Sequence, residues 1–110
     1  MAKEKTDLLQ GTLDLLILKA LQRGPIHGFG ISLAIRQMSQ DMLQVEQGSL
    51  YPALYRMEKK GWIRSEAGRS ENNRKARFYF LTDAGVAQRE VEQEGWQQFQ
   101  RAVGRIMRRA

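Results

Sequence analysis

Apolar residues recur at helical spacing over four segments of this chain and at strand spacing over two. From Thr12 to about Arg23, the residues Leu13, Leu16, Ile17, Ala20 and Leu21 form one stripe, and Leu15 and Leu18 add a second. Arg23-Gly24-Pro25 ends this helix, with glycine at the stop and proline just beyond. A second helix is predicted from about Gly28 to Ser39, carrying Phe29, Ile31, Leu33, Ala34, Ile35 and Met38. Ser39 to Glu46 is polar and irregular, with Met42, Leu43 and Val45 expected to anchor it. Gln47 to Lys60 reads as a third helix, closed by Gly61. Trp62 to Glu66 then reads as a short strand, Gly68 to Asn73 as a polar turn and Ala76 to Leu81 as a second strand. That second strand sets Phe78 and Phe80 on one face and Arg77, Tyr79 and Leu81 on the other. Two strands around a polar tip make a hairpin.

Thr82 is a good N-cap for a last helix running to about Arg108, with Asp83 favourably placed in its first turn. Ala84, Ala87 and Val91 form an early stripe expected to pack on the domain, and Gly95 then interrupts that stripe. Beyond it, Trp96, Phe99, Val103 and Ile106 follow at spacings of three, four and three, an a/d seam. The doubled stripe on the first helix admits two readings, a central helix wrapped by its own domain or one that also meets a partner chain. The short chain favours the partner, with Leu15 and Leu18 in the contact. The last helix would also suit an anionic membrane surface, but a dimer would bury the same residues.

The third helix separates two kinds of face. At 100° per residue, Leu50, Leu54 and Met57 fall within about 60° of one another, a core-facing stripe. Ser49, Pro52, Tyr55, Arg56, Lys59 and Lys60 fall on the far side, which carries cations and no carboxylate; Tyr51 and Glu58 lie at its edge. Pro52 sits in the first turn, where its missing N–H costs little, and Ser49 or Gln47 is expected to cap the free N–H groups. This is either an ordinary solvated basic face or a helix built for a polyanion, and the major groove of B-DNA admits a helix of this diameter.

Charge favours the second reading. Of 18 Lys and Arg, eight lie between Arg56 and Arg77, against three acids, in a chain whose net charge is +6. Such concentration beside a candidate groove helix points to nucleic acid. A domain used only for protein contact has no need of it. An enzyme lacks its parts here, with no cysteine, no phosphate-binding glycine loop and one histidine, His27, isolated and read as a capping or packing residue. No catalytic residue, metal site or cofactor is expected. The chain shows no membrane-length apolar stretch and no signal-peptide pattern, so the expected location is the cytoplasm.

The order helix, helix, helix, strand, charged turn, strand, helix predicts a mainly α fold with a small β-hairpin. It is a winged helix-turn-helix followed by a C-terminal dimerisation helix, dividing at residues 1–82 and 83–110. Four blocks, GTLDLLILKAL, HGFGI, QGSLYPALYRMEKKGWI and RKARFYFLTDAG, resemble the PadR family of bacterial transcriptional regulators, and the single helix after the wing resembles its short subfamily. Gly30 departs from that pattern, an acidic residue being common there. The resemblance implies a homodimer in which the last helix of each subunit packs on the first of the other. It also implies binding to an inverted-repeat operator in double-stranded DNA, usually as a repressor of an adjacent operon released by a small molecule. It places DNA contacts at Ser49, Tyr51, Tyr55 and Arg56 on the recognition helix and at Asn73, Arg74, Lys75 and Arg77 on the wing; the charge pattern adds Lys59 and Lys60. The expected dimer contacts are Leu15, Leu18, Trp96, Phe99, Val103 and Ile106, with Trp96 and Phe99 also candidates to flank a planar aromatic effector.

Overall fold

The computed structural model describes residues 2–109, with side chains from residue 11 onward; Met1 and Ala110, at the ends of the two expected segments, lie outside the described residues. Helix α1 (Ala2–Ala20) ends in a tight turn of 3-10 type over Leu21–Arg23. Strand β1 (Ile26–His27), helices α2 (Gly28–Met38) and α3 (Gln47–Lys59), strands β2 (Ile63–Arg69) and β3 (Lys75–Leu81), and helix α4 (Asp83–Met107) follow. The sheet is antiparallel in the order β1-β3-β2, with Ile26 opposite Tyr79 and Ser65 opposite Tyr79 from the other side. Helix α1 starts well before the expected Thr12, because the preceding Ala, Lys, Glu, Leu and Gln residues are themselves strong helix formers. Strand β1 escaped the sequence reading, since two residues between a Pro and a helix carry no periodicity.

The core gathers Leu13, Ile17, Leu18 and Leu21 of the first helical segment against Ile31 and Ile35 of α2, and against Leu50, Ala53, Leu54 and Met57 of α3. Ile63 and Tyr79 close it from the sheet. Leu18 is 0% exposed, which corrects the expectation that it meets a partner chain. The second stripe is covered because α1 is central, packed by α2, α3 and α4 of its own chain. Of the second stripe Leu15 stays partly exposed, as does Leu16 of the first. The linker after α2 is anchored by Val45 alone, while Met42 and Leu43 point outward; it turns through left-handed Gln40 and Asp41, tied by the Arg36–Asp41 pair at 3.0 Å.

His27 caps α2, its Nδ1 accepting from the Gly30 N–H at 3.0 Å, as the sequence suggested. Thr82 likewise caps α4 by accepting from the Gly85 N–H at 3.1 Å, while its own N–H donates to the Trp62 carbonyl at 3.1 Å. Gly85 is the contact point: a Cβ there would collide with that same Trp62 carbonyl oxygen. The domain-facing side of α4 is therefore set by Gly85, with Gln88 and Glu92 half-buried behind it. Ala84, Ala87 and Val91, expected on that side, are exposed instead. The helix runs unbroken through Gly95 to Met107, within a residue of the expected end. Its 25 residues reach well past the core, giving a radius of gyration of 15.2 Å against about 13 Å for a compact domain of this length.

Gly85→Ala is expected to lower stability by about 1–3 kcal/mol through this backbone collision. Gly48→Ala, where a Cβ meets nothing within 4 Å, should be neutral or stabilising by up to about 1 kcal/mol. Thermal and denaturant unfolding of both variants checks the contrast.

Candidate nucleic-acid interface

Helix α3 buries Leu50, Ala53, Leu54 and Met57 and leaves Ser49, Tyr51, Pro52, Tyr55, Lys59 and Lys60 exposed. Its N-cap is Glu46, which bonds through backbone only, so neither Ser49 nor Gln47 caps it as expected. The Ser49 hydroxyl is left on the outer face of the first turn. Lys59 Nζ lies 5.3 Å from the centroid of the Tyr55 ring, and Lys60 Nζ lies 4.6 Å from that of Trp62. Each ammonium thus sits on an aromatic face while staying in solvent, an arrangement that orders the cation without neutralising it.

The wing is the β2–β3 hairpin. Its tip is closed by the Ser70 and Asn73 N–H groups, which donate to the Arg74 and Ser70 carbonyls at 2.9 Å each. Asn73 takes a left-handed backbone (φ 58°), a conformation asparagine tolerates better than most residues. Arg69 donates to the Asn73 carbonyl at 3.2 Å, and the exposed Arg74 and Lys75 flank the turn. Lower on the hairpin, Arg77 donates to Ser65 Oγ at 3.0 Å, and Ser65 donates to Glu58 at 2.8 Å. That chain ties the wing to the end of α3 and partly occupies the Arg77 guanidinium.

One groove of about 800 Å³ brings the elements together. Tyr51 borders it from α3, Arg74, Lys75 and Arg77 from the wing, and Phe29 and Leu33 from α2. Tyr51 reaches this position because Gly28 has no side chain: a Cβ there would stand 2.5–2.9 Å from the tyrosine ring and hydroxyl. Phe29 is 60% exposed and was missed as a site residue. The signal was available, since Phe29 and Leu33 lie opposite the buried Ile31 and Ile35 on a helical wheel.

Arg56 departs from the expected set. Its Nη2 donates to Asp14 Oδ1 at 2.8 Å, and its Nη1 lies 3.3 and 3.4 Å from the two carboxylate oxygens. The side chain turns back along α3 onto α1 and is held in this ion pair with 35% of its surface exposed. The cause is Asp14 itself, a carboxylate only 13% exposed that needs a partner. Burial pushes the Asp14 carboxyl above the usual range, Arg56 pulls it back, and Glu92 raises and Lys60 lowers it more weakly.

On α4, Trp96, Phe99, Val103 and Ile106 are 38–67% exposed within the subunit, with the Trp96 and Phe99 ring centroids 6.0 Å apart at 36°. They continue the helical face of Gly85, Gln88 and Glu92 farther along α4, and Leu15 on α1 is also partly exposed. Among the described residues no group of His, Cys, Asp and Glu is arranged to hold a metal, and no helix is long and apolar enough to cross a membrane.

Residues 17–91 match the model of the transcriptional regulator PadR-like family. A transcriptional regulator from Clostridium thermocellum superposes with a TM-score of 0.81 at 28% identity, covering 90% of this chain and 96% of that one. A PadR-like transcriptional regulator from Bacillus cereus gives 0.78 at 26% identity, covering 94% and 99%. A 37.1 kDa protein in a Streptomyces fradiae transposon is 39% identical over 98 residues, which is 87% of this chain but only 25% of that protein.

Removing Arg56 isolates the Asp14 charge, and the sign of the pH effect follows. An acid whose folded pKa is raised holds its proton more tightly when folded, so ionising it costs stability as pH rises through the folded value. Arg56→Met should therefore cost about 1–3 kcal/mol near pH 7. The loss should be smaller near pH 3, where Asp14 is protonated in both states. Urea unfolding at the two pH values measures the difference.

Proposed function

The chain belongs to the PadR-like family of transcriptional regulators, and from that premise we propose that it is a homodimeric repressor that binds an inverted-repeat operator, most simply that of an adjacent operon. Residues 1–82 form its DNA-binding part and residues 83–110 its dimerisation helix. The observation that carries the reading is the groove in which Tyr51 of α3 and the cations Arg74, Lys75 and Arg77 of the wing border one space. In a winged helix the recognition helix enters the major groove while flanking elements hold the backbone. Lys59, Lys60, Arg74 and Lys75 supply phosphate contacts, and Ser49, Tyr51 and Tyr55 meet base edges, with Asn73 and Arg77 at the margin of the wing contact. A pair of subunits sets the two recognition helices about one turn of duplex apart, roughly 34–36 Å.

Dimerisation is supported by the uncovered seam of Trp96, Phe99, Val103 and Ile106 and by the half-exposed Leu15. Leu18 takes no part, being filled in by its own core. A planar aromatic effector between the Trp96 and Phe99 rings would change the separation of the recognition helices and release the operator.

Affinity for a duplex selected from a randomised library is expected to fall steeply with salt. Arg74→Ala should weaken binding to all sequences alike and reduce the log–log salt slope by about 1. A loss confined to one base position would contradict a phosphate role for Arg74, and salt-independent binding would contradict the interface as a whole. Phe99→Asp should yield a monomer by analytical ultracentrifugation that binds the duplex at least about tenfold more weakly and shows no saturable tryptophan quenching by planar aromatic compounds. A Phe99→Asp dimer with intact affinity would remove the seam from the proposal.

A further inference from the structure

Three helices converge on one carboxylate. Asp14 stands on α1 between the buried Leu13 and the half-exposed Leu15. From α3, Arg56 grips it with both terminal nitrogens, the shortest contact being 2.8 Å. From α4, Glu92, held by the Gln88 side-chain amide at 2.8 Å, acts on the same carboxylate, as does Lys60 at the end of α3. The other α3 cations have a different environment, with Lys59 and Lys60 exposed over aromatic rings.

Apolar contacts fix how deeply α3 sits on the core, but they are non-directional and set its roll weakly. A planar guanidinium against a carboxylate is directional, because two parallel donors fix the angle as well as the distance. The pair joins residues 42 positions apart in sequence, and Arg56 adjoins Tyr55 on α3. The helix bearing Asp14 also carries Leu15 and packs against α4, whose apolar seam continues the face of Gly85, Gln88 and Glu92 farther along the helix.

We propose that Arg56 is a positioning residue and not a DNA contact: its clasp on Asp14 fixes the roll of the recognition helix on α1 and thereby links the angle at which α3 is presented to the way α1 and α4 pack. The proposal rests on the DNA-binding reading above. A change in the lie of α4 on α1 reaches α3 through this pair, which is where an effector at the seam would act on DNA affinity.

The two roles predict opposite signs. If Arg56 touched DNA, Asp14→Asn would free it and tighten binding. If Arg56 positions α3, Asp14→Asn loosens the clasp and weakens binding. The experiment measures affinity of the full chain for its selected duplex across a salt series, at a temperature where circular dichroism shows every variant folded. Asp14→Asn and Arg56→Met are each expected to weaken binding roughly 3- to 30-fold with the salt slope unchanged. Their combination should lose little more than either alone. Arg56→Lys should not restore affinity, since an ammonium cannot form the two-nitrogen contact. Tighter or unchanged binding by Asp14→Asn, or a slope reduced by about 1 in Arg56→Met, overturns the assignment. Should Arg56→Met not fold, Asp14→Asn and Arg56→Lys decide the question with the same readouts. A wild-type chain that binds no duplex at any salt removes the DNA-binding reading and this role with it. A wild-type chain that binds, matched by Asp14→Asn, removes this role alone.

Discussion

Burial of α1 on more than one side is the constraint from which the rest of the fold follows. Ile17 and Leu18 are both 0% exposed although adjacent residues on a helix point about 100° apart. One flat layer cannot cover both. Helices α2 and α3 pack on α1, and α4 returns along it after the sheet. Each fully buried leucine or isoleucine side chain contributes about 1.5–3 kcal/mol, so leaving either stripe open would consume a large part of the stability of a domain this small. The return of α4 is fixed where Thr82 and Gly85 meet the Trp62 carbonyl, a contact only a glycine can make.

The same packing sorts the charges. Once α1 is covered, Asp14 lies mostly inside, and it draws in a cation that the sequence places on the outer face of α3. A largely buried carboxylate without a partner costs more than a surface arginine loses by turning inward. The other cations of α3 and the wing meet no such demand and remain in solvent, where aromatic rings and turn carbonyls order them. The basic surface is thus a remainder, made of the cations that the interior does not use. Its shape comes from the groove that Gly28 opens for Tyr51 between α3 and the wing.

Much of this was legible beforehand where one side chain signals one local rule. His27 and Thr82 were readable as helix caps because capping depends on a residue and its next three neighbours. The stripe of Leu50, Leu54 and Met57 was readable because helical period is a property of sequence. The misreadings share another cause. Leu18, Met42, Leu43, Ala84, Ala87 and Val91 were placed by hydrophobicity alone, which says that a residue prefers burial but not which neighbour is present to bury it. Strand β1 exists only because β3 offers it an edge.

The sequence by itself determined the succession of the four helices and the hairpin, the polarity of α3 and the excess of cations from Arg56 to Arg77, because each depends on residues within a turn or two of one another. Only the tertiary structure decided that Arg56 pairs with Asp14, that Phe29 and Leu33 share a groove with the wing, and that α4 faces inward by Gly85 rather than by its alanines. Each of these depends on groups brought together from distant parts of the chain. No local periodicity encodes the partner of a side chain 42 residues away.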